Sequence, residues 1–329
     1  MGATVMRRSQ IKAGMLIALL ALGSSPAAAD NLKDVARELV AAFDRTFKGP
    51  YPGARAIHAK GIVCKGIFTA DAGAMGLTVA PHLRAGSELP VIVRFSAFSG
   101  IPSQPDGRPG TNPIGMAVKF ILPDGVDTDI VAHAYDGFPV GTPDDFIAYL
   151  NAMGQPGERE KFLAEHPSAR RFVNDPKPTP LSYATEMYFG VHAFRFTNSS
   201  AVSRYGRYRI YPIAGARHLS KSEAEAISPS YLNAEIKERL REGPVEFRLT
   251  AQLATSADNV LDGSAKWPSD RAEVPLGTLS LKTVDERSDD TVFFSPMNLV
   301  PGIAASPDPL LAARTRAYAI SLERRVQGE

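Results

Sequence analysis

Apolar residues recur at helical spacing through Leu32, Val35, Leu39, Val40 and Phe43, which predicts an amphipathic helix over residues 31–47. The pattern then changes. Residues 56–68 and 91–99 predict strands, the second entered from the turn signal around Gly86. Residues 116–122 predict another strand, ended by Pro123-Asp124-Gly125. Helical spacing returns over 143–153, where Thr142 is placed to cap and Pro143 opens the first turn. Further strands are predicted over 189–198, 206–212 and 245–253, and the charged stretch 222–242 is helical in pattern with a break at Ser228-Pro229. The Pro/Gly-rich run 294–303 cannot be a helix, and after it a helix start is predicted at Ser306-Pro307, with Asp308 in its first turn. Strands dominate the first half and the third quarter, with helices inserted between them. That order fits an α+β class, an antiparallel sheet or barrel with flanking helices, and not alternating βα units.

The N-terminus changes the picture in one respect. Residues 1–29 read as a cleaved signal peptide. Arg7-Arg8 precede an apolar run, Gly14 to Leu22, that is too short to span a bilayer, and Ala27-Ala28-Ala29 offers a small-residue cleavage site before Asp30. Arg7 to Lys12 is compatible with twin-arginine export as well as with the general route. The expected product is a soluble periplasmic protein with residues 30–329 as one domain. No later run is apolar enough for stable membrane insertion. With 37 basic against 35 acidic side chains, charge gives no reason to expect a nucleic-acid partner. The single cysteine, Cys64, excludes an internal disulfide and predicts a buried thiol.

Local motifs exclude much chemistry. There is no Gly-rich nucleotide fingerprint, P-loop, His-Glu-x-x-His or nucleophile elbow, and the six histidines never fall at metal-ligand spacing. Three stretches remain. Arg314, Tyr318 and Arg325 fall at i, i+4 and i+11, one stripe of the last helix, which is also how a surface helix with snorkelling arginines would read. Arg94 and Ser96 share one face of an otherwise apolar strand, a placement that asks for an anion and an imidazole as partners. Arg55 and His58 stand in a segment where extended geometry would point them to opposite faces, and His58 by itself also fits a core histidine bonded locally.

Five motifs in order carry a resemblance: His58-Ala-Lys-Gly61, Val93-Arg-Phe-Ser96, Gly115-Met-Ala-Val-Lys-Phe120, the 294–303 run and the Arg314-x-x-x-Tyr318 helix. His192-Ala-Phe-Arg-Phe-Thr-Asn198 and Trp267-Pro268 add to it. Together they resemble haem catalases, and in length the chain is similar to the small, exported catalase-related peroxidases. The resemblance implies a catalase-like antiparallel eight-stranded β-barrel with flanking helices and no C-terminal domain, with haem, most simply of the b type, buried beside the barrel. It implies that Tyr318 is the axial ligand of the haem iron, as a phenolate stabilised by Arg314. Arg55, Arg94 and Arg325 would hold the propionates. His58 would act as distal acid and base, with Ser96 orienting its ring. Ile57, Phe98 and Phe138 would line the distal pocket, and Phe294 the proximal side. In the family an asparagine follows Asp-Leu-Val; here Asp129-Ile-Val131 is followed by Ala132-His133, so His133 takes that place without a gap.

These implications add up to a peroxidase that reduces hydrogen peroxide or organic hydroperoxides with small organic donors, with weak catalase activity. The alternatives are a true catalase, a lipid-hydroperoxide isomerase and, outside enzymes, a haem carrier or sensor. A monomer or homodimer without NADPH is expected.

Overall fold

A computed structural model describes residues 26–108, 110–285, 289 and 291–328. The predicted signal peptide falls largely outside the described residues. Helix α1 spans Pro26–Phe47, and ten strands follow in one antiparallel sheet. They are β1 (Gly61–Ala70), β2 (Glu88–Ser96), β3 (Gly115–Ile121), β4 (Asp127–His133), β5 (Tyr188–Phe189), β6 (Phe194–Thr197), β7 (Ser203–Pro212), β8 (Val245–Leu253), β9 (Glu273–Val284) and β10 (Ile303–Ala305). The order runs β10-β6-β7-β5-β4-β3-β2-β1-β9-β8, and β7 also pairs with β8. That last pairing closes eight strands into a barrel and leaves β6 and β10 as an extension on β7. Helices α2 (Pro143–Met153), α3 (Glu158–Glu165), α4 (Pro167–Asn174), α5 (Lys221–Ala226), α6 (Tyr231–Glu242) and α7 (Pro309–Gln327) flank it.

The barrel has no lumen for a ligand. Phe68, Phe95, Phe120, Tyr183, Tyr188 and Phe247 are fully buried together, as a small closed barrel filled by its own side chains requires. Strand alternation then puts the other residues of β2, β3 and β4 outside. Val91, Val93 and Phe95 belong to the barrel core while Arg94 and Ser96 point away from it, and Ile130 and Ala132 point in while Val131 and His133 point out. A second core, built by Leu39, Phe43, Phe146, Tyr149, Phe172 and Leu310 of the helices, faces this outer surface. The space between sheet and helices is where the site lies.

The predicted elements over 143–153 and 245–253 coincide with α2 and β8, and the break at Ser228-Pro229 separates α5 from α6. Thr142 caps α2 by accepting from the Asp145 amide at 3.1 Å. Cys64 is buried, and burial pushes its thiol up to about 12. Three expectations are corrected. The strand predicted from residue 56 begins only at Gly61, because the chain turns through His58 at φ +57°. The 189–198 stretch is broken into β5 and β6 by Gly190 to Ala193. The last helix starts at Pro309, with Asp308 and not Ser306 as its cap; Asp308 accepts from the Leu310 and Leu311 amides at 2.9 and 3.3 Å.

Candidate functional site

A cavity opens between the outer face of β2–β4 and helices α1, α2 and α7. All twelve side chains singled out from the sequence line it: Arg55, Ile57, His58, Arg94, Ser96, Phe98, His133, Phe138, Phe294, Arg314, Tyr318 and Arg325. Arg55 and His58, which an extended segment would send apart, reach the same space because the backbone at His58 is left-handed. That conformation is costly for a residue with a side chain, and the surroundings hold it there. Ala56 donates from its amide to Ser321 Oγ of α7 at 3.2 Å, and Phe98 stands edge-on to the imidazole at 5.6 Å.

On the sheet side, Ser96 Oγ and His58 Nδ1 are 3.0 Å apart. Burial is the main force on this ring, and Arg94 and Arg314 add to it, so the His58 pKa is lowered to about 3 and the imidazole is neutral. A glycine makes room for it: a Cβ on Gly115 would come within 3.0 Å of the ring and 2.9 Å of Ser96 Oγ. Gly61 is needed in the same way, since a Cβ there would meet the Arg94 guanidinium at 2.4 Å. Neither glycine had a stated reason in the sequence, although each stands inside one of the motifs.

On the helix side, the hydrogen bonds run in one direction. Arg314 donates from Nη2 to the Tyr318 hydroxyl and from Nη1 to His192 Nε2, both at 2.7 Å. A guanidinium only donates, so Nε2 must carry the lone pair and Nδ1 the proton. That proton points at Asp308 Oδ2, 2.6 Å away. Burial lowers the His192 pKa while Asp308 opposes the change. Phe138 lies across this chain, its ring 5.3 Å from the Arg314 guanidinium. Sequence reasoning missed the roles of His192 and Asp308. The first belonged to a motif without a task, and the second was read only as helix-start charge.

At the rim the cavity carries positive charge. Arg55 and Arg325 both donate to the Val292 carbonyl, at 3.1 and 3.2 Å. Arg55 and Arg94 share the carboxylate of Asp289, at 3.0 and 2.5 Å. Burial and then the neighbouring Arg94 lower the Arg55 pKa to about 9. Burial would raise the Asp289 pKa, but the arginines outweigh it and hold it low. Three guanidiniums, those of Arg55, Arg94 and Arg325, gather with the Asp289 carboxylate at one edge of an apolar space.

Together these features define a class: a closed barrel with a cavity on its outer face, imidazoles on one wall, a phenol on the other and a cluster of guanidiniums at the edge. The family model "Catalase" matches residues 31–329. The chain is 40% identical over 288 residues to a catalase-related peroxidase of Mycolicibacterium paratuberculosis, covering 84% of this chain and 90% of the relative. It is 30% identical over 306 residues to a catalase-related peroxidase of Synechococcus elongatus, covering 88% of each. Among solved structures, a fungal catalase superposes with a TM-score of 0.76 at 23% identity over 87% of this chain. A bacterial catalase gives 0.74 at 21% over 92%. The chain spans about three fifths of those two longer proteins, 61% and 62%. The chain belongs to the catalase family.

Proposed function

We propose that this protein is an exported haem peroxidase of the catalase family that reduces peroxides at the expense of small organic donors. The observation that carries the reading is the pairing of His58–Ser96 and Arg314–Tyr318 on opposite walls of one cavity. The cavity fits haem on two counts: its walls are largely apolar, and the guanidiniums of Arg55, Arg94 and Arg325 stand together at its rim, where planar donor forks suit propionates. Tyr318 would hold the iron through its oxygen, and the Arg314 hydrogen bond would support the ionised phenol. Arg55, Arg94 and Arg325 would hold the propionates, while Ile57 and Phe138 would pack on the distal side and Phe294 on the proximal side. Haem, when bound, supplies an iron centre able to accept the oxidising equivalents of peroxide and pass them to donors.

The chain's own residues supply the rest. His58 is neutral, and Ser96 at Nδ1 orients the ring so that Nε2 is available as a base. It would take the proton from the near oxygen of the peroxide and return it to the far oxygen, so that water departs instead of hydroxide. The apolar walls exclude bulk water, which would otherwise compete for that proton. In the net reaction one peroxide and two donor hydrogens give two waters, or a water and an alcohol, with two one-electron-oxidised donors. A carrier or sensor would have no use for a held, neutral imidazole on the sheet wall.

The test is the purified protein's absorption spectrum, followed by peroxide consumption with and without a phenolic donor. The expected result is a ferric haem spectrum with an oxygen-donor axial ligand, and donor oxidation that exceeds oxygen release. Absence of haem would end the reading; fast oxygen release independent of donor would replace it with a catalase.

A further inference from the structure

The outer face of the barrel carries a row that runs straight across three strands. Ser96 of β2 pairs with Gly115 of β3, and Gly115 pairs with His133 of β4. Directly paired residues put their side chains on the same face, about 4.5–5.5 Å apart at Cβ. The middle position is bare, and the His58 ring occupies it, with a Cβ on Gly115 falling 3.0 Å from His58 Cε1 and Nδ1. The ring is therefore flanked by Ser96 on one side and by His133 on the other. Two imidazoles stand next to each other on one wall.

They differ in what they touch. The His58 Nδ1 is engaged by Ser96. His133 Nε2 is buried and has no hydrogen-bond partner among the described residues, although the ring lines the cavity and stands edge-on to Phe138 at 6.2 Å. A buried ring nitrogen without a partner costs stability and persists where a ligand completes it. Burial, followed by the charge of Arg314, keeps this imidazole uncharged. A neutral imidazole has one N–H and one lone pair, so unlike an ammonium or guanidinium it can accept a proton's hydrogen bond.

We propose that His133 is a specificity-determining positioning residue: its Nε2 accepts a hydrogen bond from the second O–H of hydrogen peroxide, while His58 takes the first. The inference rests on the peroxidase reading above. Hydrogen peroxide has two O–H groups and an alkyl hydroperoxide has one, so only the former satisfies both rings. A site built to bond a given hydroxyl discriminates against the analogue that lacks it, because its own polar group is then left unpaired.

The experiment compares haem-loaded wild type with His133→Leu, which keeps similar bulk, and His133→Gln, which restores an acceptor. Kinetics with hydrogen peroxide are set against kinetics with tert-butyl hydroperoxide, and cyanide affinity is measured at equilibrium from the haem absorption. In His133→Leu, kcat/KM for hydrogen peroxide should fall about tenfold or more, the size of one lost hydrogen bond in a buried site. The alkyl hydroperoxide should change less than twofold to threefold on the same scale. Cyanide arrives as an acid with one proton, and its affinity should stay within the same margin. His133→Gln should recover most of the loss for hydrogen peroxide. Equal losses for both peroxides, a parallel fall in cyanide affinity, or no loss at all would each overturn the assignment. A wild type that takes up no haem would instead overturn the peroxidase reading beneath it, so the two failures are told apart.

Discussion

The two walls of the cavity are built on opposite terms. On the helix wall the polar groups from Tyr318 through Arg314 and His192 to Asp308 are bonded in sequence, with separations of 2.6–2.7 Å, and the last member also caps α7. On the sheet wall His58 is held through Nδ1 by Ser96, and His133 Nε2 has no partner among the described residues. The helix wall has its own acid in contact; among the described residues the lining of the cavity contains none. Saturation fixes a side chain in one position. Incomplete bonding leaves capacity for a substrate that arrives and departs. A buried charge network of the first kind is stabilising only while all its members are present.

The sharpest way to break the contrast is Tyr318→Phe, which removes the proposed iron ligand and leaves Arg314 without its acceptor. Most of the haem should be lost or its axial ligand changed, as read by absorption of the purified variant; an unaltered spectrum would remove the assignment. Next in size is His58→Ala. Haem content should be preserved while the rate of the peroxide-induced spectral change falls by about 10²–10⁴-fold, the usual contribution of a positioned acid-base group. A third change acts on the helix wall alone. Asp308→Ala removes a helix cap and the acceptor of a buried imidazole, so it should cost about 2 kcal/mol or more of stability in a denaturant titration. Its direct effect on the peroxide reaction should be smaller than that of His58→Ala.

A last effect is a pH dependence that separates folding from reactivity. Burial lowers the pKa of His58 and His82 to about 3, and also lowers those of His133 and His192. In the unfolded chain such rings take up protons near the ordinary value of 6.5. As the pH falls from 6.5 toward 3 the unfolded state binds more protons, so stability falls, by at most about 1.4 kcal/mol per pH unit for each ring. Above 7 this contribution is fully retained. The thermal midpoint should therefore drop between pH 7 and 5, while the per-molecule reaction with peroxide stays flat, because His58 is still a base throughout that range.

How much of this was legible in the sequence depends on how far apart the partners are. The helix over 143–153 and the strand over 245–253 carry their own punctuation, and both coincide with the structure. The stripe of Arg314, Tyr318 and Arg325 is a local spacing, and all three reach the cavity. Periodicity suggested an antiparallel sheet or barrel, but closure rests on the pairing of β7 with β8 and on a single residue pair, His133 with Phe189, between β4 and β5. No local pattern encodes such a seam. Strand β9 escaped because Pro275 and Gly277 interrupt its pattern. The start of β1 was misplaced because the chain reverses at His58, where only the tertiary surroundings support a left-handed histidine. His192 and Asp308 meet across 116 positions, so a histidine in one motif and a helix cap in another became partners only in three dimensions.

Helix α7 lies outside the barrel, seated through Leu310 and Ala317 on the helical core, with Leu311 touching the barrel core. It carries Arg314, Tyr318 and Arg325 together, so one wall of the site is a single detachable piece. Local opening of one helix costs less than global unfolding. Undocking of α7 would open the cavity along its whole length while the eight-stranded ring stays intact. The residence of the proposed haem would then depend on how often this one helix lifts away, and mutations at the α1–α7 seam would register as faster haem exchange before any loss of fold.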